Sequence, residues 1–127
     1  MGAVVRLRFR DEPVTLDKRR LARLAALEGE SIDDLLCRAL EEISIGCRQL
    51  GEGDGLTTRA RMTAARRIEI AARRLGLSAL WRCCRAIRRS LAAGDRTAER
   101  ALRARALRLV GALFAALEDT EGSLPLH

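Results

Sequence analysis

The chain has 127 residues, of which 48% are hydrophobic and 32% charged, and this length suits a single domain with its own core. Its 24 basic and 17 acidic residues leave a net charge of +7, and the whole excess lies in residues 51–127, with fifteen basic against eight acidic residues. No apolar run reaches membrane-spanning length, and the first residues lack the apolar core of a secretory leader. We therefore expect a cytoplasmic protein that does not enter a membrane.

The cysteines and the histidine offer no pattern for metal binding. Cys37, Cys47, Cys83 and Cys84 contain no C-x-x-C spacing, and the single histidine is His127. The sequence therefore predicts no metal site and no cofactor. Adjacent cysteines point about 100 degrees apart on a helix, so at least one of the last two is expected to be a small core residue, with redox sensing as the alternative.

Residues 1–15 differ from the rest of the chain and are predicted to form an extended arm. Val5, Leu7 and Phe9 alternate with charged residues at the period of two that is typical of a strand. The charged residues in this alternation are Arg6, Arg8 and Arg10.

Two helices are predicted after the arm. The first is short, with Asp17 as its N-cap and Gly29 as its stop. The second starts at an N-cap, Ser31, and its apolar residues recur every three or four positions from Ile32 to Leu50. This stripe is the most regular helical pattern in the chain.

Three more helices follow, separated by a glycine-rich loop at 51–55, by Gly76 and by Gly94. The final residues, 119–127, are predicted to be a flexible tail. The first of these three helices is predicted to run from Thr57 or Thr58 to Leu75, and the predicted N-caps of the other two are Ser78 and then Asp95 or Thr97.

Short connections between amphipathic helices favour antiparallel neighbours that share one core. We therefore expect an all-α fold, an antiparallel four-helix bundle with a short N-terminal lid helix and an extended N-terminal arm. The bundle with its lid is assigned to residues 16–118.

The latter half of the chain, from Arg74 to Glu118, resembles the histidine phosphotransfer (HPt) family. A looser likeness in the lid and the first bundle helix extends the resemblance to about residues 14–118. The residues that carry it are the helix end Leu75-Gly76, the buried stripe of Leu80, Cys84 and Ile87, and the turn Gly94-Asp95. The resemblance implies a helical bundle that works with receiver domains in phosphoryl relays.

The motif that carries the family's chemistry is changed here. The family has His-x-x-Lys-Gly on a helix, with the histidine nine residues before the Leu of Leu-Gly. In this chain Arg66 stands at the histidine position, Glu69 at the lysine position and Ile70 at the glycine position. A guanidinium stays protonated and cannot accept a phosphoryl group as a nucleophile. The resemblance therefore implies a degenerate member that binds its partner and is not an enzyme.

The third predicted helix offers a face for such binding, because its non-core residues recur at intervals of three and four. Its arginines would frame exposed apolar side chains, which suits an acidic, partly apolar patch on a receiver domain or a histidine kinase domain. The alternative is that Met62 and Ile70 touch neighbouring helices or the arm. The predicted partner-binding residues are Arg59, Met62, Arg66, Glu69, Ile70 and Arg73.

Two other hypotheses remain open from the sequence. In the first, the chain is a dimeric DNA-binding regulator of the ribbon-helix-helix kind, which reads the major groove with Arg6, Arg8 and Arg10. The long connection before the first helix and the balanced charge of residues 1–50 count against it. In the second, the arginines of the last three helices bind nucleic acid or anionic lipid without specificity. The sequence does not determine the oligomeric state, although a self-contained bundle favours a monomer.

Overall fold

The computed structural model describes residues 4–8 and 13–119, and most of them are helical. An N-terminal hairpin precedes the helices, and a short 3-10 turn, Gly53–Gly55, follows the second helix. Within the described residues, no helix is long and apolar enough to cross a membrane. The elements are β1 (Val4–Arg8), β2 (Pro13–Asp17), α1 (Lys18–Glu28), α2 (Ile32–Gly51), α3 (Thr58–Leu75), α4 (Ser78–Ala93) and α5 (Arg96–Asp119).

Helices α2 to α5 form a bundle, which confirms the predicted fold class. Each of them packs along the next one in the chain, and α5 also contacts α2. The connections between these helices, at 52–57, 76–77 and 94–95, are short, as the sequence predicted.

The core of the bundle is aliphatic and has small residues where helices approach closely. α1 covers one end of the bundle by burying Leu21 and Ala25, and Leu16 is buried beside them. The largest fully buried apolar side chains are Leu21, Leu35, Ile43, Leu50, Ile68, Leu75, Ile87 and Leu113. Each contributes about 1.5–3 kcal/mol as an upper estimate, so this shared interior holds the lid and the four helices together.

Two of the helices begin at predicted caps, Ser31 and Asp95, and α3 is capped by Thr57, one of the two residues predicted as its start. A side-chain oxygen satisfies an amide that has no partner inside the first turn of the helix. The side chains of Ser31, Thr57 and Asp95 accept hydrogen bonds from the amides of Asp34, Ala60 and Ala98 at 3.0, 3.1 and 3.0 Å.

The cap predicted at Ser78 was wrong, because α4 starts at that residue and Leu77 is its N-cap. Gly76 adopts a left-handed conformation, with φ at 73°, that ends α3. The Leu77 amide then donates to the Ala72 carbonyl at 2.9 Å, so the turn that closes α3 also sets the start of α4. Leu77 is 2% exposed, and its burial holds this turn in place.

The extended arm is an antiparallel hairpin. β1 is the strand expected from the alternation near the N-terminus, whereas β2 was not predicted as a strand. Val4 lies opposite Asp17 and Arg8 lies opposite Pro13, and β1 also contacts α1 and α5. Phe9 and Arg10 lie outside the described residues, as does the predicted tail apart from Asp119, which ends α5.

Candidate partner-binding site

Helix α3 presents an outward face on the side opposite its core stripe. The stripe is made of small residues and one large one, Ile68, so α3 packs closely against its neighbours. Residues at intervals of three and four then share the solvent side of the helix. The exposed residues on this side are Arg59, Thr63, Arg66, Ile70 and Arg73, and they include four of the six predicted site residues.

A groove runs between α2 and α3 beside this face, and we call it the α2–α3 groove. Its cavity has a volume of about 570 Å³. Ile70 is 50% exposed here, which is unusual for a large apolar side chain in this compact fold. The α3 side of the groove is lined by Thr63, Arg66, Arg67, Ile70, Ala71 and Arg74, and the α2 side by Leu35, Arg38, Ala39, Glu41 and Glu42.

Some arginines around the groove are neutralised by ion pairs, and one is not. Arg67 pairs with Glu42 at 2.8 Å, and Arg74 pairs with Glu28 of the lid helix. Among the residues that the structure describes, Arg66 has no ion-pair partner. The Arg66 guanidinium is therefore the positive charge of the groove that remains available to a partner, and Glu41 on the α2 side likewise has no ion-pair partner among the described residues.

The lid helix α1 is joined to the helices on both sides of the groove by a shared carboxylate. Glu28 pairs with Arg38 of α2 and with Arg74 of α3, and the hydrogen bond from Arg74 is the main cause that lowers the pKa of Glu28. Arg20 adds a hydrogen bond from its guanidinium to the Arg73 carbonyl at 2.8 Å. These contacts place the end of α1 at the lining of the groove.

The prediction that Glu69 lies on the partner-binding face was wrong. Glu69 is 5% exposed and lies between α3 and α4, where its Oε1 accepts from Arg88 Nε at 2.8 Å and pairs with Arg88 Nη2 at 2.7 Å. Its position on α3 turns it toward α4, and a buried carboxylate requires a partner of opposite charge. Glu69 therefore joins two helices of the bundle.

The other predicted residues are spread along α3. Arg73 lies over the ring of Trp81 on α4, with its Cζ 4.6 Å from the ring centroid, so it is turned away from the groove. Met62 is only half-exposed, and Arg59 lines a separate recess near the start of the helix. The structure thus brings Arg66 and Ile70 together at the groove and places the other four elsewhere.

The sequence-based prediction missed Arg67 and Arg74 on the α3 side of the groove. These two residues and Ile70 follow one another at intervals of three and four, so helical spacing alone could have found them. Arg38 and Leu35, on the α2 side, could not be found in this way. Their place opposite α3 depends on how the two helices are packed.

A second charged cluster lies at the other end of the bundle and joins α3 to α5. Arg61 donates to the Leu56 carbonyl at 3.0 Å and to Glu99 at 3.4 Å, and Glu99 is only 2% exposed. Arg103 Nε lies 3.6 Å from the other Glu99 oxygen, and its Nη2 is 3.4 Å from Asp54. Because these contacts fasten the connection between α2 and α3 onto α5, we assign the cluster a structural role.

Both adjacent cysteines are core residues. Cys83 and Cys84 are buried, and the Cys83 thiol donates to the Leu102 carbonyl at 3.2 Å. Burial raises the pKa of the Cys84 thiol far above its ordinary range, so the reactive thiolate does not form at neutral pH. Within the described residues, no three side chains of the types that bind metals are grouped together.

Comparison of the chain with protein-family models, with curated proteins and with solved structures gives no match.

Proposed function

We propose that this chain is a non-catalytic signalling regulator, similar to an HPt domain, that binds a receiver domain or a histidine kinase domain through the exposed face of α3. The observation that carries the proposal is the pairing of Arg66, which has no ion-pair partner among the described residues, with half-exposed Ile70 in the α2–α3 groove. A cation beside an apolar side chain fits an acidic, partly apolar surface.

The chemistry at position 66 favours binding without phosphoryl transfer. Arg66 stands where the HPt resemblance would place the phosphoacceptor histidine, and its side chain is exposed on the helix. A guanidinium has no free nitrogen lone pair for attack on phosphorus, but it forms strong paired hydrogen bonds with carboxylates. The chain would then regulate its partner by occupying the partner's docking surface.

The N-terminal hairpin makes the ribbon-helix-helix alternative less favourable. That hypothesis needs β1 to pair with the same strand of a second chain. Here β1 hydrogen-bonds to β2 of its own chain and contacts α1 and α5. One edge of β1 is therefore already hydrogen-bonded within the chain and cannot pair with a second chain.

The test is to titrate the purified chain with receiver and histidine kinase domains of its own organism and to measure the binding by calorimetry. The proposal expects binding by at least one of these domains. Arg66→Glu should weaken the binding by about tenfold or more, a loss of about 1.4 kcal/mol, because it reverses the charge that meets the acidic patch. Ile70→Ser should weaken it by a smaller factor.

Arg23→Glu is the matched control, since Arg23 is exposed on α1 and has no ion-pair partner in the described part of the chain. It makes the same change in net charge at a residue that does not line the groove. Equal loss of affinity in the Arg23 and Arg66 variants, or no binding by any of these domains, would refute the proposal.

A further inference from the structure

Nearly all the charged residues of helices α3 and α4 are basic. Together they contain ten arginines and a single acidic residue, Glu69. That acid is buried and already paired with Arg88. The solvent side of these two helices therefore carries arginines with no acidic residue among them.

Three of the exposed arginines form a row along α4, which we call the α4 arginine row: Arg82, Arg85 and Arg89. Their spacing of three and four residues puts them on one side of the helix. Arg82 and Arg73 both lie over the ring of Trp81, with their Cζ atoms 5.5 and 4.6 Å from its centroid. The row therefore continues onto α3 through Arg73.

Two of the three arginines in the row are available to bind a ligand. Arg85 and Arg89 have no ion-pair, hydrogen-bond or ring partner among the residues that the structure describes. Their charges are not needed to hold the fold together. Like charges on one helix face cost stability, so an unneutralised row suggests an anionic partner.

We propose that the α4 arginine row, together with Arg73, binds the phosphate backbone of a double-stranded nucleic acid. Arginine binds phosphate oxygens through paired hydrogen bonds, and a basic face on a helix is the electrostatic signature of such binding. The row spans about 10 Å of helix, over which one strand of a duplex carries about three phosphates. The proposal goes beyond the docking function and concerns the α4 side of the molecule, where Arg73 lies over Trp81 and away from the α2–α3 groove.

The side chains around the row disfavour a protein partner at this place. Protein interfaces are organised around apolar or aromatic anchors in their centre. The other exposed residues of α4 are Ser78, Ala92 and Ala93, which offer none. The exposed apolar residue of α3, Ile70, lies on the opposite flank, in the α2–α3 groove.

Single-stranded nucleic acid and lipid fit less well than a duplex. Single strands bind by stacking their bases on open aromatic rings, but the face of Trp81 lies under arginine side chains. A membrane-surface helix inserts large exposed apolar side chains, and the one large ring beside the row, Trp81, is half-buried beneath arginines. Contacts to the backbone of a duplex need only the positive charges.

The experiment measures binding of the full chain to a duplex DNA of about 20 base pairs by fluorescence anisotropy, between about 50 and 200 mM salt. The expected result is binding at low salt that weakens steeply as salt rises. The variant R85Q/R89Q should lower the affinity at low salt by at least about tenfold and make the log–log salt slope shallower by about 2, at about 0.9 per phosphate contact.

The double variant R23Q/R48Q is the matched control, because both residues are exposed, lie outside α3 and α4, and have no ion-pair partner among the described residues. It removes the same net charge and should change the slope much less. Urea unfolding midpoints should be alike for both variants, which separates binding from stability.

Four outcomes would overturn the proposal: no duplex binding at low salt, an equal effect of the control variant, tighter binding of polyglutamate or a single strand than of the duplex, or preferential binding of anionic phosphatidylserine vesicles. Failure of the duplex-binding proposal can be distinguished from failure of the proposed docking function. R85Q/R89Q should keep its affinity for a receiver or kinase domain, and Ile70→Ser should keep its affinity for the duplex.

Discussion

Gly46 lies inside α2 at the point where this helix meets α3. A methyl group at this position would lie 2.6 Å from Ile68 Cγ1 and 3.1 Å from the Ala64 carbonyl oxygen. The carbonyl belongs to the backbone of α3 and cannot move without moving the helix. The absence of a side chain at Gly46 therefore sets the close approach of α2 to α3, and with it the width of the neighbouring groove.

We expect Gly46→Ala to destabilise the protein by about 1–3 kcal/mol, because overpacking outweighs the gain in helix propensity. Urea unfolding measures the change. Gly111→Ala in α5 is the control, since nothing lies within 4 Å of a methyl group there, and it should stabilise by about 0.5–1 kcal/mol. A neutral or stabilising Gly46→Ala variant would show that the two helices are not in close contact at this point.

At the scale of elements, buried ion pairs decide how the helices are joined. Glu99 of α5 lies between Arg61 of α3 and Arg103 of its own helix, and its Oε2 has no hydrogen-bond partner in the described structure. The two guanidiniums supply charge compensation for this buried carboxylate. Removing the negative charge of Glu99 would leave both guanidiniums poorly solvated and without charge compensation.

Glu99→Gln should therefore lower the free energy of unfolding by about 3 kcal/mol, as expected for one partner lost from a buried ion pair. Urea unfolding at neutral pH is the measurement. Glu41→Gln, an exposed position on α2, should change the same quantity by less than about 0.5 kcal/mol. If the two variants were equally stable, the cluster would have no part in holding α3 to α5.

At the scale of the whole molecule, two solvent-accessible carboxylates link the lid and the loop after α2 to arginines of other elements. Glu28 connects the lid to α2 and α3, and Asp54 connects the loop after α2 to α5. The hydrogen bond from Arg74 lowers the pKa of Glu28 below its ordinary value of 4.5. The charge of Arg100 is the largest cause that lowers the pKa of Asp54 below 3.8.

Because both pKa values are depressed in the folded state, these groups stabilise the fold at pH values above their ordinary pKa. The stabilisation is lost as the pH falls through the folded-state values. The double variant E28Q/D54N should be less stable than the parent at pH 7, and this difference should shrink below the ordinary pKa values and vanish once the pH lies below both folded-state pKa values. Urea midpoints measured across this range test it, and a difference that persists at low pH would rule out the two carboxylates as its cause.

Much of the fold could be predicted because its signals are local. Ser31, Thr57 and Asp95 cap helices through residues only three positions away, and the stripe from Ile32 to Leu50 follows from the period of the helix. The candidate site was predicted less well. Arg66 and Ile70 were correctly placed on the surface, but Glu69, their neighbour in sequence, is buried against α4.

The amino-acid sequence by itself determined the helical elements, most of their ends and the concentration of arginine in the second half, since these depend on neighbouring residues and on composition. Only the tertiary structure decided which charges are neutralised. Arg88 and Glu69 are nineteen residues apart, and Arg61 and Glu99 are thirty-eight apart. Such pairs form when packing brings distant helices together. Both proposals rest on arginines that this packing leaves without an ion-pair partner.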